Sequence, residues 1–501
     1  MTPEELLVEH GLDDPAARLG AYVQLQRWFG GRGRTITACS IDDAGVISEA
    51  TPAVLFAVVA IDYADGGQER YSVPLGVLEG GVDVVNDPNR LIGEGQQRGR
   101  PVAVVDALFD SASALTLWRL MAGDAQVRTL RGTLRGQGEG LSVNGDGDVH
   151  PLGREQSNTS LLRGEDELLK IFRRLEDGPT PELEMTRALA EAGFTQVPAP
   201  LGAIEYRRDG LEPALAAILQ PFLRNGTEGW ALALTSLRDL YADAEVQPSS
   251  SAGEVREAVE NQGSTFLPEA ARLGETTAAM HLALSGDGLG PALRPEPISA
   301  EMLGGWATAM TGELDRILDA GGGAVEPLRG QREAVVAAYD AIRGIGEAGL
   351  AIRHHGDYHL GQVLRVDAGW TVLDFEGEPA RPLAERRLRS TALRDVAGML
   401  RSFDYAAAAA LAERARPDSQ EWQQLQVYGD AWAAANRRLF WGAYLARCGD
   451  TALLPHTSAD TLALRRAFEL QKAVYEVGYE LGHRPDWVGI PIHFILGEVS
   501  R

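Results

Sequence analysis

The spacing of apolar residues changes character several times along the first part of the chain. Over DPAARLGAYVQLQRWF, Asp14 to Phe29, apolar residues recur at helical spacing, and Gly30-Gly31 follows as a stop signal. From Thr51 to Leu78, β-branched and apolar runs flank the turn ADGGQ, which predicts a β-hairpin. The segment from Val102 to Met121 returns to helical spacing. We therefore predict a small α/β region at the start of the chain.

After Val127 the pattern predicts short strands, then one helix, then more strands. The predicted strands before the helix lie in VRTLRGTLRG, LGREQSNTSLLRG and DELLKIFRRL. The helix TPELEMTRALAEAG has Thr180 as its N-cap and Pro181 at its first position. Further strands lie in LGAIEYRR and PALAAILQPFL. This order is typical of an α+β fold with a mainly antiparallel sheet.

Beyond Trp230 helical spacing predominates, with two exceptions. A Ser-, Gly- and Gln-rich patch from Gln247 to Ser264 is predicted to be a loop. Within Ile352 to Pro379, AIRHHGD predicts a short strand, QVLRV and WTVLDF predict a hairpin, and a loop follows from Glu376. The predicted domains are residues 1–125, 126–229 and 230–501.

Composition excludes several classes of function. The 501 residues are 45% apolar and 24% charged, as in globular proteins. A net charge of -24 repels nucleic acids and anionic membranes, so neither is an expected partner and a neutral ligand is favoured. Cys39 and Cys448 suggest neither a disulfide scaffold nor a zinc site. The acidic start MTPEELLVEHGLDD and the absence of an apolar run of about 18 residues predict a cytoplasmic protein.

Three oxygen-bearing side chains near HGDYHLGQ have a spacing that suits phosphoryl transfer. This chemistry needs an acid to take the proton of the attacking hydroxyl and oxygen ligands for Mg²⁺. Asp357 is the predicted base. Gln362 stands five residues later, where a kinase catalytic loop carries a metal ligand, and Asp374 closes the strand WTVLD. Alternatively, Asp357 caps a turn.

Upstream residues are candidates for binding the nucleotide. Lys170 ends the strand DELLK and is predicted to meet the donor's phosphates, although a solvated lysine at a strand end is the plainer interpretation. The helix that follows carries Glu182 and Glu184, and Glu184 is the predicted partner of the lysine. The loop QSNTS lies between two strands and is predicted to cover the phosphates. Its candidate residues are Ser157, Asn158, Thr159 and Ser160.

The acceptor is predicted to bind near the C-terminus. In FELQKAVYEVGYELGHRPDW, polar and aromatic residues recur three and four positions apart, which places them on one helical face. Such a face suits a sugar, because aromatic rings contact its C–H surfaces and charged groups bind its hydroxyls. The candidate acceptor residues are Asp357, His359, Lys472, Tyr475, Glu476 and Tyr479. Packing in the core is the alternative role of the tyrosines.

Several motifs in the same order resemble the maltokinase family of actinobacteria. They are HGDYHLGQVL with DFEGEP, EQSNTSL, LLKIFRRLE, QPFLRNGTEGW and QKAVYEVGYELGHRPDWVGIPI, and the resemblance runs from about Gln26 to Ile492. It implies a bilobal, aminoglycoside phosphotransferase-like fold with an N-terminal cap subdomain that includes QRWFGGRGR. It also implies ATP-dependent conversion of maltose to maltose 1-phosphate, which feeds α-glucan synthesis.

The resemblance implies roles for individual residues. Asp357 corresponds to the base, Lys170 to the nucleotide lysine, and Gln362 with Asp374 to the Mg²⁺ ligands. The segment LQPFL, with Gln220 and Phe222, corresponds to the hinge that meets adenine. Two positions depart from the wider kinase pattern: Gln362 replaces the usual Asn, and DFE replaces DFG. Glu376 therefore becomes a candidate for an additional carboxylate near the metal.

Three functions remain open at this point. The first is a maltokinase, and the second is a kinase for another small sugar such as glucosamine, whose cationic amine an acidic pocket favours. The third is an inactive pseudokinase that serves as a scaffold, which the presence of base, metal ligands and lysine disfavours. A hydrolase is favoured less than any of these, because no G-x-S-x-G elbow occurs and HGDYH lacks the H-E-x-x-H metal spacing. The expected partners are a sugar and ATP with Mg²⁺, bound by a monomer or homodimer.

Overall fold

The computed structural model of the protein describes residues 1–500 except 86, 139, 142, 144–147, 154–157, 247–250, 263, 264, 380 and 418. Its contacts divide the chain into two compact units. Unit 1 comprises Met1–Arg187 and Pro198–Arg224, and unit 2 comprises Ala188–Val197 and Asn225–Arg501. The predicted boundaries at residues 125 and 229 stay a prediction.

Unit 1 contains two antiparallel sheets and the helices that cover them. The first sheet has the order β1-β2-β3-β5-β4, with β11 beside β3, and the second has the order β6-β7-β12-β13-β10-β9-β8. The strands are β1 (Ile36–Ser48), β2 (Ala53–Tyr63), β3 (Gln68–Glu79), β4 (Leu91–Gln97), β5 (Arg100–Asp106), β6 (Gln126–Arg128), β7 (Gly132–Gln137), β8 (Val149–Leu152), β9 (Asn158–Arg163), β10 (Glu167–Phe172), β11 (Arg174–Leu175), β12 (Gly202–Arg208) and β13 (Ala214–Pro221). The helices are α1 (Pro3–Glu9), α2 (Pro15–Leu25), α3 (Ser111–Ala122) and α4 (Pro181–Glu191), the last of which begins in this unit.

The second sheet of unit 1 buries its two faces in different ways. One face contributes Leu161, Leu169 and Leu219 to a core that also contains Trp118 of α3. On the opposite face, Phe172 and Ile218 pack with Leu183 of α4. Because side chains alternate along a strand, Lys170 shares this second face with Ile218, its partner across β13.

Unit 2 is mainly helical and holds two small antiparallel sheets, β14-β17-β18 and β15-β16-β19. Its helices are α5 (Gly229–Val246), α6 (Ala252–Gln262), α7 (Leu267–Ala283), α8 (Ala300–Ala320), α9 (Glu326–Arg329), α10 (Arg332–Asp340), α11 (Leu383–Arg386), α12 (Leu393–Arg414), α13 (Gln420–Cys448), α14 (Ser458–His483) and α15 (Gly489–Val499). Its strands are β14 (Thr227–Glu228), β15 (Glu296–Pro297), β16 (Leu350–Ile352), β17 (Val363–Val366), β18 (Gly369–Val372) and β19 (Ser390–Thr391). Among the described residues, no helix has the length and apolar character needed to cross a membrane.

The structure confirms the predicted α+β fold class and corrects two of its elements. The predicted helix over Val102 to Met121 is wrong in its first part, because Arg100–Asp106 forms strand β5 and the helix begins at Ser111. A short apolar run such as VAVV fits either a strand or a buried helix. The predicted loop at Gln247 to Ser264 is wrong over Ala252–Gln262, which is helix α6. Val255 and Val259, four residues apart, are buried along one side of this helix.

Candidate active site

Asp357 lies in the loop between β16 and β17, with one-fifth of its side chain exposed. Its Oδ1 is 3.7 Å from Nζ of Lys472, and its Oδ2 is 3.7 Å from Nε2 of His359. Burial raises the pKa of this carboxyl, but the interactions with His359 and Lys472 outweigh burial and hold the pKa well below its ordinary value. The carboxyl is therefore ionised at neutral pH, as a proton acceptor must be.

His359 is oriented by its own loop. The backbone N–H of Gly361 donates to Nδ1 of His359 at 3.0 Å, so the proton of the neutral ring is assigned to Nε2. This N–H faces Oδ2 of Asp357. Two of the predicted acceptor residues, Asp357 and His359, therefore lie side by side, with His359 half-buried.

Gln362 and Asp374 also lie together, across the hairpin of β17 and β18. Nε2 of Gln362 donates to Oδ2 of Asp374 at 3.0 Å, and the N–H of Leu373 donates to the carbonyl of Gln362 at 2.9 Å. Asp374 has a φ of 62°, a left-handed conformation that is uncommon outside glycine and is often found at functional sites.

The oxygens of these two side chains fit Mg²⁺, which binds one or two protein carboxylates and completes its shell with water and phosphate oxygens. Within the described part of the chain, no group of three or more His, Cys, Asp and Glu side chains could hold a metal ion.

Asp395, at the start of α12, is a site residue that the sequence analysis missed. Its carboxylate accepts hydrogen bonds from the backbone N–H groups of His355 at 2.7 Å and Gly356 at 2.9 Å. Nε2 of the buried His281 lies 3.1 Å from the same carboxylate. Asp395 thus fixes the backbone two residues before Asp357. The available signal in the sequence was the position of Asp395 directly before the apolar run VAGML, which predicts burial in a helix. A buried acid needs hydrogen-bonding partners, so this pattern made Asp395 a candidate.

Two further contacts support this loop. Nε2 of His355 lies 2.8 Å from the carbonyl of Leu373, and the His355 ring packs on Phe375 with centroids 4.8 Å apart. Gly398 of α12 approaches the loop closely, since a Cβ there would lie 2.5 Å from the carbonyl oxygen of Tyr358. The loop therefore rests directly on the backbone of α12.

Replacement of Asp395 by Asn is expected to destabilise unit 2 by about 3 kcal/mol, since one charged acceptor serves several donors. The side chain of Asn would also place its own N–H group opposite a backbone N–H of the loop, and two donors cannot form a hydrogen bond. Denaturant unfolding should show the loss, and activity should fall with it. A matched Asp340→Asn change, at an exposed acid of α10, should leave both unchanged. Full stability in Asp395→Asn would contradict this role.

A cavity beside Asp357 is lined by three of the predicted acceptor residues, Asp357 itself with Lys472 and Tyr475 of α14. Nζ of Lys472 lies 5.1 Å from the centre of the Tyr475 ring. Burial, followed by the charge of Glu378 and the hydrogen bond to it, raises the pKa of Tyr475, so its hydroxyl stays protonated and donates. The remaining polar side chains of the wall are Tyr358, Glu378, Arg381, Arg394, Asp395 and Gln471.

Glu476 and Tyr479 do not line this cavity, so the structure divides the predicted face of α14. Glu476 is buried and pairs with Nε and Nη2 of Arg401 at 3.0 and 2.9 Å. Tyr479 is 43% exposed and stacks on His483 with centroids 4.4 Å apart. It lies seven residues after Lys472, or roughly 10 Å further along the helix axis. Their roles in acceptor binding stay predictions that this geometry does not favour.

The predicted nucleotide residues lie in unit 1, mostly on the face of the second sheet that packs against α4. Lys170 of β10 is opposite Ser160 of β9, and Leu168 is opposite Gln220 of β13. Lys170, Ser160 and Gln220 therefore share one face. Thr159 points the other way and accepts a hydrogen bond from Nε of Arg173 at 2.9 Å. Asn158 is buried at the start of β9, and Ser157 lies outside the described residues.

Glu182, rather than the predicted Glu184, is the inner glutamate of α4. Glu182 is buried, and Nε2 of Gln220 donates to its Oε1 at 3.4 Å, whereas Glu184 is half-buried. The backbone N–H of Phe222 donates to the carbonyl of Asp166 at 2.7 Å. The assignment of Glu184 to the lysine, and of Gln220 and Phe222 to adenine, stays a prediction.

Comparison with known proteins identifies relatives of this chain. The family model of the maltokinase N-terminal cap domain matches residues 22–110. A protein named glucosamine kinase from Streptacidiphilus jiangxiensis is 31% identical over 344 residues, which cover 67% of this chain and 70% of that protein. A second glucosamine kinase, from Mycolicibacterium smegmatis, is 27% identical over 347 residues, covering 68% of this chain and 77% of that protein.

A solved structure of glucosamine kinase in complex with glucosamine, ADP and inorganic phosphate has the same fold. It matches with a TM-score of 0.64 at 24% identity and covers 99% of both chains. The chain therefore belongs to the maltokinase-like family of kinases with the aminoglycoside phosphotransferase-like fold, and it is an ATP-dependent phosphotransferase that acts on an alcohol group.

Proposed function

We propose that the protein phosphorylates maltose with ATP and releases maltose 1-phosphate for α-glucan synthesis. The resemblance of its motifs to maltokinases supports this acceptor, and the observation that carries it is the charge of the cavity beside Asp357. Three cationic side chains line this cavity: Arg381, Arg394 and Lys472. A neutral sugar meets no repulsion from them.

The carboxylates of the same cavity are largely engaged. Asp395 accepts from the loop backbone, and Asp357 faces Lys472. Glu378 accepts a hydrogen bond from Tyr475. Burial, followed by the charge of the nearby Arg381, lowers the pKa of Arg394 to about 10. A cationic amine needs a free carboxylate in this cavity, whereas a neutral sugar does not, and this supports maltose over glucosamine.

The proposed reaction assigns one step to each group. Asp357 accepts the proton of the attacking sugar hydroxyl, and His359 and Lys472 keep its carboxylate ionised beforehand. Lys170 binds phosphate oxygens of ATP. Gln362 and Asp374 are the proposed holders of Mg²⁺, which when bound neutralises charge on the phosphates.

Glucosamine remains the second candidate because two relatives carry the name glucosamine kinase. Glu378 is the cavity carboxylate best placed to bind its ammonium group, since the other two serve the loop backbone and Lys472. If glucosamine is the acceptor, Glu378→Gln should weaken its binding, whereas maltose turnover should depend little on this charge.

A panel of acceptors decides between the two sugars. Release of ADP is measured with ATP, Mg²⁺ and maltose, glucose, glucosamine or an aminoglycoside. We expect turnover of maltose without turnover of glucosamine. The reverse result would replace the proposal by glucosamine kinase activity. Absence of turnover with all four would reject both acceptors.

Tyr475→Ala is expected to raise the KM of the sugar with little change in the KM of ATP. Loss of one hydrogen-bonding or ring contact costs about 1–3 kcal/mol, or roughly 5- to 150-fold in KM. Tyr479→Ala, one helical turn further on, is the matched variant and should change neither constant. Melting temperatures separate a loss of contact from a loss of folding. Equal effects of both variants would restore the predicted helical face as the acceptor site.

A further inference from the structure

A second cavity of about 770 Å³ lies in unit 2 and shares no lining residue with the cavity beside Asp357. It is formed by α12, α13 and α15, with single residues from α5 and α14. The phosphoryl-transfer residues described above are absent from its described wall. It therefore calls for a separate account.

The cavity is long and has aromatic side chains at both ends. Trp422 and Trp441 both line it from α13. They are nineteen residues apart, which corresponds to roughly 28 Å along the helix. Gly429 and Ala433 lie between them on the same helix, and the hydroxyl of Tyr241 packs over Gly429. The cavity thus accommodates an extended ligand rather than a compact one.

The charges along the wall balance. Nη1 of Arg437 donates to Asp404 at 3.1 Å, and Nε of Arg465 lies 2.8 Å from Glu469. Two charged wall residues, Asp430 and Arg438, have no hydrogen bond or ion pair to another described residue. One is negative and the other is positive. A neutral ligand is therefore favoured over an anion or a cation.

Four further polar side chains line the wall. They are Gln426, Asp430, Arg438 and His493, and Asp430 lies close enough to His493 to interact with it electrostatically. Together they offer amide, carboxylate, guanidinium and imidazole groups. Such groups bind hydroxyls, and the aromatic rings suit the apolar faces of sugar rings.

We propose that this cavity binds a neutral oligosaccharide of several sugar units, at a site separate from the one that accepts the phosphoryl group. Trp422 contacts a ring face at one end, and Asp430 and Arg438 bind hydroxyls along the middle. This site does not depend on which sugar is phosphorylated. It gives the kinase a means of attachment to a long carbohydrate.

Isothermal titration of the full chain with maltoheptaose, and separately with cellopentaose, tests this site without any need for turnover. We expect saturable binding of at least one probe. Trp422→Ala and Asp430→Ala should each weaken it at least tenfold while kcat and both KM values are kept. The control is Trp487→Ala, a half-buried tryptophan outside the cavity, which should bind as the unaltered protein does.

Two outcomes would overturn the proposal. One is the absence of saturable binding of either probe at about 10 mM. The other is binding that both cavity variants retain, which would assign it to the acceptor cavity. Melting curves for the variants exclude unfolding as the cause of a loss. Sedimentation velocity adds a further check, since a dimer that Trp422→Ala dissociates would make the cavity an interface between two copies.

Discussion

Asp357→Asn is expected to lower kcat by a factor of about 10² to 10⁴, the usual contribution of a positioned general base. The amide keeps the size of the side chain but cannot accept the hydroxyl proton. The affinity for ATP should stay the same, because no proposed contact with the nucleotide is lost. Steady-state kinetics measures the first effect, and calorimetric titration with ATP measures the second.

The matched control is Asp367→Asn, which makes the same change at an exposed acid between β17 and β18. It should leave kcat unaltered. The low pKa of Asp357 also predicts how the base responds to pH. The carboxylate is ionised at every pH above this pKa, so lowering the pH from 7 to 5 should not remove the base. Unchanged turnover in Asp357→Asn would remove this residue from the mechanism.

Asp374→Ala is expected to abolish activity by removing the carboxylate of the proposed magnesium site. Excess sugar should not restore activity, since the defect concerns the metal and the nucleotide. Gln362 would lose its hydrogen-bond acceptor as well. Titration of ATP with and without Mg²⁺ gives a second readout, because the dependence of nucleotide affinity on Mg²⁺ should diminish. A variant that is active at low Mg²⁺ would contradict the assignment.

The companion variant Glu376→Ala tests the carboxylate two residues later. If Glu376 binds the metal, this change should raise the Mg²⁺ concentration needed for half-maximal activity. If it does not, only Asp374→Ala should show the effect. Melting temperatures of both variants show whether the loop still folds.

Local patterns predicted the hairpins well. The runs on either side of ADGGQ form β2 and β3, and QVLRV with WTVLDF form β17 and β18. Such hairpins depend on residues close in sequence, so alternation and turn residues suffice. The strand β5 was missed because VAVV has no period that separates strand from helix.

Long-range contacts were beyond the sequence. Asp395 meets the loop forty residues upstream, and no local spacing reveals that pairing. Likewise, Lys472 lies near Asp357 across 115 residues. The helical spacing of the residues on α14 predicted which of them share a face, but it did not show how far along that face the cavity extends. Glu476 belongs to the predicted face and pairs with Arg401 instead. A single sequence contains the residues of this site but not the distances between them.

The dependence of the loop on Asp395 has a consequence for synthesis. The ribosome adds Asp395 forty residues after His355, a delay of roughly 2 to 8 seconds at about 5 to 20 residues per second. Throughout this interval the N–H groups of His355 and Gly356 have no carboxylate to bind. A nascent chain that has already exposed HGDYH therefore lacks the carboxylate that orders this loop until α12 folds, and Lys472 of α14 is added later still.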